Sequence, residues 1–485
     1  MSGDESVEIR LYGGWRRTRG MGLWGLSQGA TVLVLGCALA PLLVGAVSLR
    51  LGLQVAVPAA LVAALTVARL HGVPLGDVLV RRVRWGLGSV RGLRTLRSGA
   101  LALVEEGFRL PHALTHLELV DIEDGRGGTF GLVHDARSGM LSATLKCAAS
   151  STWLVDHRES DGWVSSWHSW LASLGYVPSV RRVAVTVDSA PEPGTTLRDE
   201  VLKRLDPGAP HDVVDLMHEL VRRSPAAAAH VETRVTITFD PAAMSARLPG
   251  LRDRAAEVSR LLVGFESHLG SCGVSVLGRA TVADLSATVR AAYDPAVRGE
   301  VERSRRNGSA PSWTDAGPVA AQEDWDSYRH DSGCSVTWGW HEAPRQQVTS
   351  DVLTRLLSPG RHPKRVTLLY RPLSAGAAAR VLEGQVNAAA FRDAYRRAQK
   401  RDETARDAAD RQQAQRAAQE EASGAGVVLI SMYATVTTTD PADLPEAVAD
   451  IESRADQCKV QMRRLYAGQA VGFATTLPLG VWPGR

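Results

Sequence analysis

His112 and His116 stand four residues apart, the spacing that puts two imidazoles on one helix face where they could share a metal ion. The sequence places no carboxylate or thiol to complete the set, so they read as a surface pair. Asp324 and Asp326, near His330 and Asp331, are the other cluster with acid and base character, but a charged linker produces the same pattern. The five cysteines (Cys37, Cys147, Cys272, Cys334, Cys458) are far apart and contain no C-x-x-C pair, so they read as reduced core residues. No G-x-x-x-x-G-K-[ST] loop, no G-x-G-x-x-G after a strand, no H-E-x-x-H and no G-x-S-x-G elbow occurs. No catalytic, cofactor or metal-binding residue is assigned, and an enzyme is not the expectation.

What must position everything else is the stretch 30–69. Residues 30–49 are all apolar or small, and after the single charge of Arg50 residues 51–68 carry none. At about 1.5 Å per residue each run just covers the ~30 Å hydrocarbon core, so the pair reads as a transmembrane helical hairpin with a tight turn. Arg10, Arg16, Arg17 and Arg19 precede it, and Arg69, Arg81, Arg82, Arg84, Arg91, Arg94 and Arg97 follow. The positive-inside rule then puts both termini in the cytoplasm of an inner-membrane protein. Residues 1–29 read as an interfacial segment in which Tyr12, Trp15, Arg16, Arg17 and Trp24 suit the headgroup layer. Residues 70–104 read as a basic membrane-proximal helix, with Arg81, Arg82 and Arg84 facing anionic lipid rather than nucleic acid.

The chain has 485 residues and a formal charge of +4, so most of it lies beyond the spans and has room for two or three soluble domains. Short strands alternate with helices from residue 117 onward, giving an α+β class with two mixed α/β lobes. Strands are expected at 129–133, 141–147, 182–188 and 231–239. Helices are expected at 161–174, 211–223, 251–269 and 282–292. Trp163, Trp167 and Trp170 stripe one helix face, a pattern read as core packing. The first lobe spans 105–293; residues 294–330, rich in charge, Gly and Pro, read as a linker; the second lobe is 331–485, where the alternation repeats. Within it, 375–422 reads as one long exposed helix whose outer part offers only alanine to a partner.

Two short stretches carry a family resemblance. Gly468-Gln469-Ala470-Val471-Gly472-Phe473-Ala474-Thr475-Thr476-Leu477-Pro478-Leu479-Gly480 resembles the segment that closes the amino-terminal domain of conjugation and type IV secretion ATPases of the TraC/TrbE kind. Tyr293-Asp294-Pro295, at a helix end, looks like a Tyr-Asp-Pro motif of the same domain. The two-span hairpin is similar to the PrgI-type subunit sometimes fused to that ATPase, and the Tyr-Gly-Gly-Trp-Arg-Arg opening resembles an actinobacterial family found near such ATPases. The chain ends five residues after Gly480, where the motor domain of the ATPase would follow. The resemblance therefore implies a membrane-anchored docking component, oligomeric in its assembly, whose partners are the bilayer, a separate ATPase and other secretion subunits. An EccE-like component of type VII secretion is the alternative, and a membrane-tethered enzyme a third; direct nucleic-acid contact is not expected.

Overall fold

The computed structural model describes residues 10–13, 28–70, 73–98, 110–150, 155–191, 201, 203–206, 208–223, 229–244, 250–344, 346–398, 405–422, 424 and 426–483. The chain divides into two compact units, Arg16–Leu93 with Ala375–Ala425, and Met1–Trp15 with Arg94–Ser374 and Gly426–Arg485.

In the smaller unit, α1 (Gln28–Val47) and α2 (Leu49–Val67) are both long and apolar enough to cross a membrane. Each lies within two residues of the expected run, and only Ser48, extended at φ −154°, separates them. The helices close on glycine: a Cβ on Gly52 would lie 2.6 Å from the Gly45 Cα, so small residues let the two backbones meet beside the turn. A two-residue ladder of β1 (Arg69–Leu70) and β2 (Val73–Pro74) leads into α3 (Leu75–Val90). The helix expected to reach residue 104 stops here, because Gly92 takes the left-handed φ of +68° that ends helices. Residues 95–97 are instead a strand, β3 (Thr95–Arg97), of the larger unit.

The larger unit is built on one antiparallel sheet of 13 strands. β4 (Leu117–Glu123), β5 (Thr129–Asp135) and β6 (Leu141–Ala149) form a meander, followed by α4 (His157–Leu174), β7 (Val180–Pro191), α5 (His211–Arg223) and β8 (Ala229–Phe239). Next come α6 (Leu251–Gly270), β9 (Val274–Arg279), α7 (Val282–Tyr293), α8 (Arg298–Arg306), β10 (Ala320–Glu323) and β11 (Tyr328–His330). The remainder is β12 (Gly333–Glu342), α9 (Thr354–Leu357), β13 (Lys364–Pro372), β14 (Val428–Thr438), α12 (Leu444–Gln457), β15 (Gln461–Arg464) and α13 (Gln469–Thr475). Between β13 and β14 the chain runs through α10 (Ala375–Ala398) and α11 (Ala405–Ala422) of the smaller unit.

The strand order, β3-β10-β11-β12-β14-β13-β7-β8-β6-β5-β4 with β15 on β12 and β9 on β6, reads the same from either end apart from β3. It contains the β-α-β-β-α-β unit twice, β6-α4-β7-β8-α6-β9 and β12-α9-β13-β14-α12-β15, each with its fourth strand beside its first. The two copies join where their second strands pair, with Thr186 opposite Thr367. In both, Asp-Pro follows the third strand, and the carboxylates of Asp240 and Asp440 accept from the amides of Ala242 and Ala442 to cap the same short turn.

Three expectations are corrected. No linker divides two lobes, since the sheet runs through both, and residues 294–330 carry α8, β10 and β11. Their charges, which suggested a solvated linker, are paired: Arg305 Nη1 lies 2.6 Å from Asp284 and Arg298 Nη1 3.5 Å from Asp188. The single long helix at 375–422 is two: Arg411 Nη1 lies 3.5 Å from Asp393 Oδ2, whereas 18 residues of continuous helix would separate them by about 27 Å. Nor is its outer part wholly exposed, because Ala414 is buried.

The sheet buries both faces. On one, α4 and α6 cover Leu141, Leu145, Val235 and Ile237, with the Trp170 ring tilted against Trp167 at 4.9 Å, so the tryptophan stripe packs inward. On the other, α7 and α13 bring Leu285, Tyr293, Phe473 and Leu477 into a second core.

Candidate functional site

The face beneath α13 is lined with hydroxyls, because threonine and serine occupy alternate strand positions there. Ser142 pairs with Thr238, Thr144 with Thr236, Thr186 with Thr367, Thr337 with Thr435 and Ser335 with Thr437, all at 2.8–3.0 Å and all buried. Residues 468–480 are strapped across this ladder. Gln469, fully buried, accepts from the Thr337 amide at 2.7 Å and donates to the Leu465 carbonyl at 2.6 Å. Thr476 meets Thr435 at 3.0 Å, and the Pro478 carbonyl accepts from Thr144 at 2.9 Å in the other half of the sheet. Leu477 and Leu479 are 1% exposed. Gly480, at φ +74°, ends the strap where a Cβ would lie 2.2 Å from the Ser142 hydroxyl. Gly468 begins it in open space.

The two short motifs, 175 residues apart, meet. Tyr293 packs 4.9 Å from Phe473 of the strap, and His330 packs 4.8 Å from the same ring. Asp294 binds Arg290 and accepts from Ser332, and Pro295 opens the next turn. His330 is 1% exposed. Its Nδ1 donates to the Tyr293 carbonyl at 2.6 Å, which leaves Nε2 to accept from Ser335 at 2.7 Å. Burial holds its pKa down at about 4, the nearby Arg365 lowering it further and Asp294 opposing, so the imidazole is neutral at physiological pH.

The carboxylates near His330 in sequence are dispersed among other partners. Asp331 binds Arg290 at 2.9 Å and caps the amides of Val319 and Ala320, Asp324 faces Arg329, and Asp326 faces Arg464. His116 is exposed, and His112 begins a 3-10 turn at His112–Leu114. Among the described residues no group of three metal-ligating side chains is found. Cys147, Cys272, Cys334 and Cys458 are free and buried.

Of the interfacial residues, Trp15, Arg16, Arg17 and Trp24 lie outside the described residues. Tyr12, expected among lipid headgroups, instead joins the larger unit: its backbone pairs with Val348, and its hydroxyl donates to Asp161 at 2.8 Å. Partial burial and the Asp161 carboxylate push its pKa up to about 12. Arg81, Arg82 and Arg84 are exposed on α3, together with an apolar stripe of Leu79, Val83 and Leu87.

Sequence reasoning missed a second site. In the first half of the sheet, beneath α7 and α8, a cavity of about 210 Å³ is lined by charge. Lys146 and Arg305 share Asp284, at 2.8 Å and 2.6 Å. Arg234 binds Glu232 and donates to Thr288 at 3.1 Å, while His230 lies 3.2 Å from Glu232. Burial alone would raise the Glu232 carboxyl, but the His230 bond and the Arg234 charge outweigh it and hold it well below the usual range. Asp284 is lowered likewise, burial being outweighed by Lys146, the Thr281 amide and Arg305. Both stay ionised, so the cleft is suited to holding charge rather than to delivering a proton near neutral pH. The available signal was Arg234, a charge set directly before the alternating run Val235-Thr236-Ile237-Thr238-Phe239 of the same strand.

No protein-family model matches the chain, and no curated protein matches it.

Proposed function

We propose that the chain is a membrane-anchored docking component of a conjugative or type IV-like secretion apparatus, coupling a separate cytosolic ATPase to the plasma membrane. The observation that carries this reading is the outward aspect of α1 and α2. Leu42 and Leu43 are 70% exposed and Val47 is 88% exposed, an arrangement that hydrocarbon suits and water does not. Arg50 sits at the turn, where it reaches the interface and avoids the roughly 3 kcal/mol cost of a mid-span charge. α3 follows with exposed arginines beside an apolar stripe, the composition of a helix lying on an anionic surface. The docking part rests on the meeting of Tyr293-Asp294-Pro295 with the 468–480 strap, which gives the two stretches resembling the ATPase domain a common place in the fold. Copurification with a conjugation-type ATPase of the same cell, and a change in its turnover, are expected. If the protein neither copurifies with that ATPase nor alters its turnover, the docking reading fails.

The charged cleft is the one observation that favours a membrane-tethered enzyme instead. Glu232 and Asp284 are held ionised by neighbouring cations, which supports ligand holding over acid catalysis.

A further inference from the structure

The cleft is surrounded by more hydrogen-bond donors than its own residues consume. Arg234, 6% exposed, uses Nη2 for Glu232 and Thr288 and leaves Nη1 without a partner. Arg298 reaches Asp188 only at 3.5 Å, beyond the usual N–H···O range, so it too has donor capacity to spare. Buried guanidinium N–H groups left without acceptors are costly, and an anion entering beside them removes that cost.

The lining carries five cations, with Lys146, Arg305 and Arg306 joining Arg234 and Arg298, against the four carboxylates of Asp188, Glu232, Asp284 and Glu302. Five minus four leaves one positive charge before His230 is counted.

The geometry points to a site for a phosphate-type oxyanion, held by Arg234 and Arg298 with Lys146 and Arg305 at its edge. Guanidinium forks match tetrahedral oxyanions, offering paired donors along one edge. The volume, about 210 Å³, is below the roughly 300–1,000 Å³ of pockets that enclose drug-sized ligands. It therefore takes a phosphoryl group and leaves any larger remainder in solvent. The site does not depend on the docking reading and stands or falls separately from it.

The test is calorimetric titration of the full chain in detergent and phosphate-free buffer, with inorganic phosphate in one arm and ADP in the other. Saturable one-site binding of phosphate is expected, weakened at least about tenfold in R298Q. It should be unchanged in R361Q, whose exposed pair with Glu446 lies in the second half of the sheet. Tighter binding of ADP, displaced by phosphate, identifies the phosphoryl end of a nucleotide as the ligand; tighter binding of phosphate identifies the free ion. R234K, which keeps the charge and removes the fork, should weaken binding as well. If that buried change unfolds the chain, R298Q, at a side chain 17% exposed, still decides. No saturable heat from either probe up to about 10 mM, or binding unaltered by R298Q, overturns the assignment.

Discussion

The two halves of the large sheet share strand order, register and a ladder of hydroxyl pairs, yet they diverge at one corner. Outward from Thr186 the register runs through Arg234 to Lys146; outward from Thr367 it runs through Tyr433 to Gly339. In the second half the corner is closed by packing: a Cβ on Gly339 would lie 3.2 Å from the Tyr433 ring and 3.5 Å from Leu465. In the first half the same positions hold a lysine and an arginine, and a cleft remains. The backbone repeat thus acts as a frame, and side-chain chemistry at equivalent positions decides which copy keeps an opening.

Four tests would break or sharpen that comparison. R234M should cost roughly 3–5 kcal/mol in denaturant unfolding, because Glu232, directly across the strand pair from Asp188, loses its buried cation. Y433F, at the equivalent position, should cost less than about 1 kcal/mol. Equal losses would show that the first corner is not held by charge. In the strap, G480A should cost about 3–4 kcal/mol, since its φ of +74° and the Ser142 hydroxyl both oppose a Cβ. G468A, in open space at φ −165°, should cost under about 1 kcal/mol. Matching melting temperatures for the two variants would contradict the strap's close seating on the ladder.

Acid sensitivity should follow His330 in the second half. The unfolded imidazole takes up a proton below about pH 6.5, while the folded one refuses it down to about pH 4. The unfolded state therefore binds more protons in that window, and stability is complete above pH 6.5 and lost as pH falls toward 4. The loss is at most about 3 kcal/mol, and H330Q should flatten that part of the pH profile. A wild-type profile identical to that of H330Q would remove His330 as the cause. Smallest of all, T144V and T337V should each cost about 1–2 kcal/mol by breaking equivalent hydroxyl pairs. A large difference between the two would mean that the ladder is not shared equally by the halves.

Local order was largely legible. The apolar runs marked α1 and α2, and Val235, Ile237 and Phe239 alternating with threonine marked β8, because these signals lie within one element. The break between α10 and α11 was hidden, since alanine suits both a continuous exposed helix and two packed ones. Residues 294–330 misled for a related reason: Arg298 and Arg305 look like solvent charges until Asp188 and Asp284 are placed beside them. The cleft was illegible because Lys146, Arg234, Asp284 and Arg305 come from four elements and have no spacing in common. The meeting of Tyr293 with Phe473 was invisible for the same reason, although both stretches had been singled out.

The central claim is that α1 and α2 cross a membrane and hold the large unit on its inner side. A cysteine introduced beside Arg50, in a chain with Cys37 replaced, should react with an impermeant maleimide added to intact cells. A cysteine replacing exposed Arg361 in the large unit should react only after lysis. Protection of the Arg50 site from outside, labelling of the Arg361 site in intact cells, or release of the chain from membranes by alkaline carbonate would contradict the account.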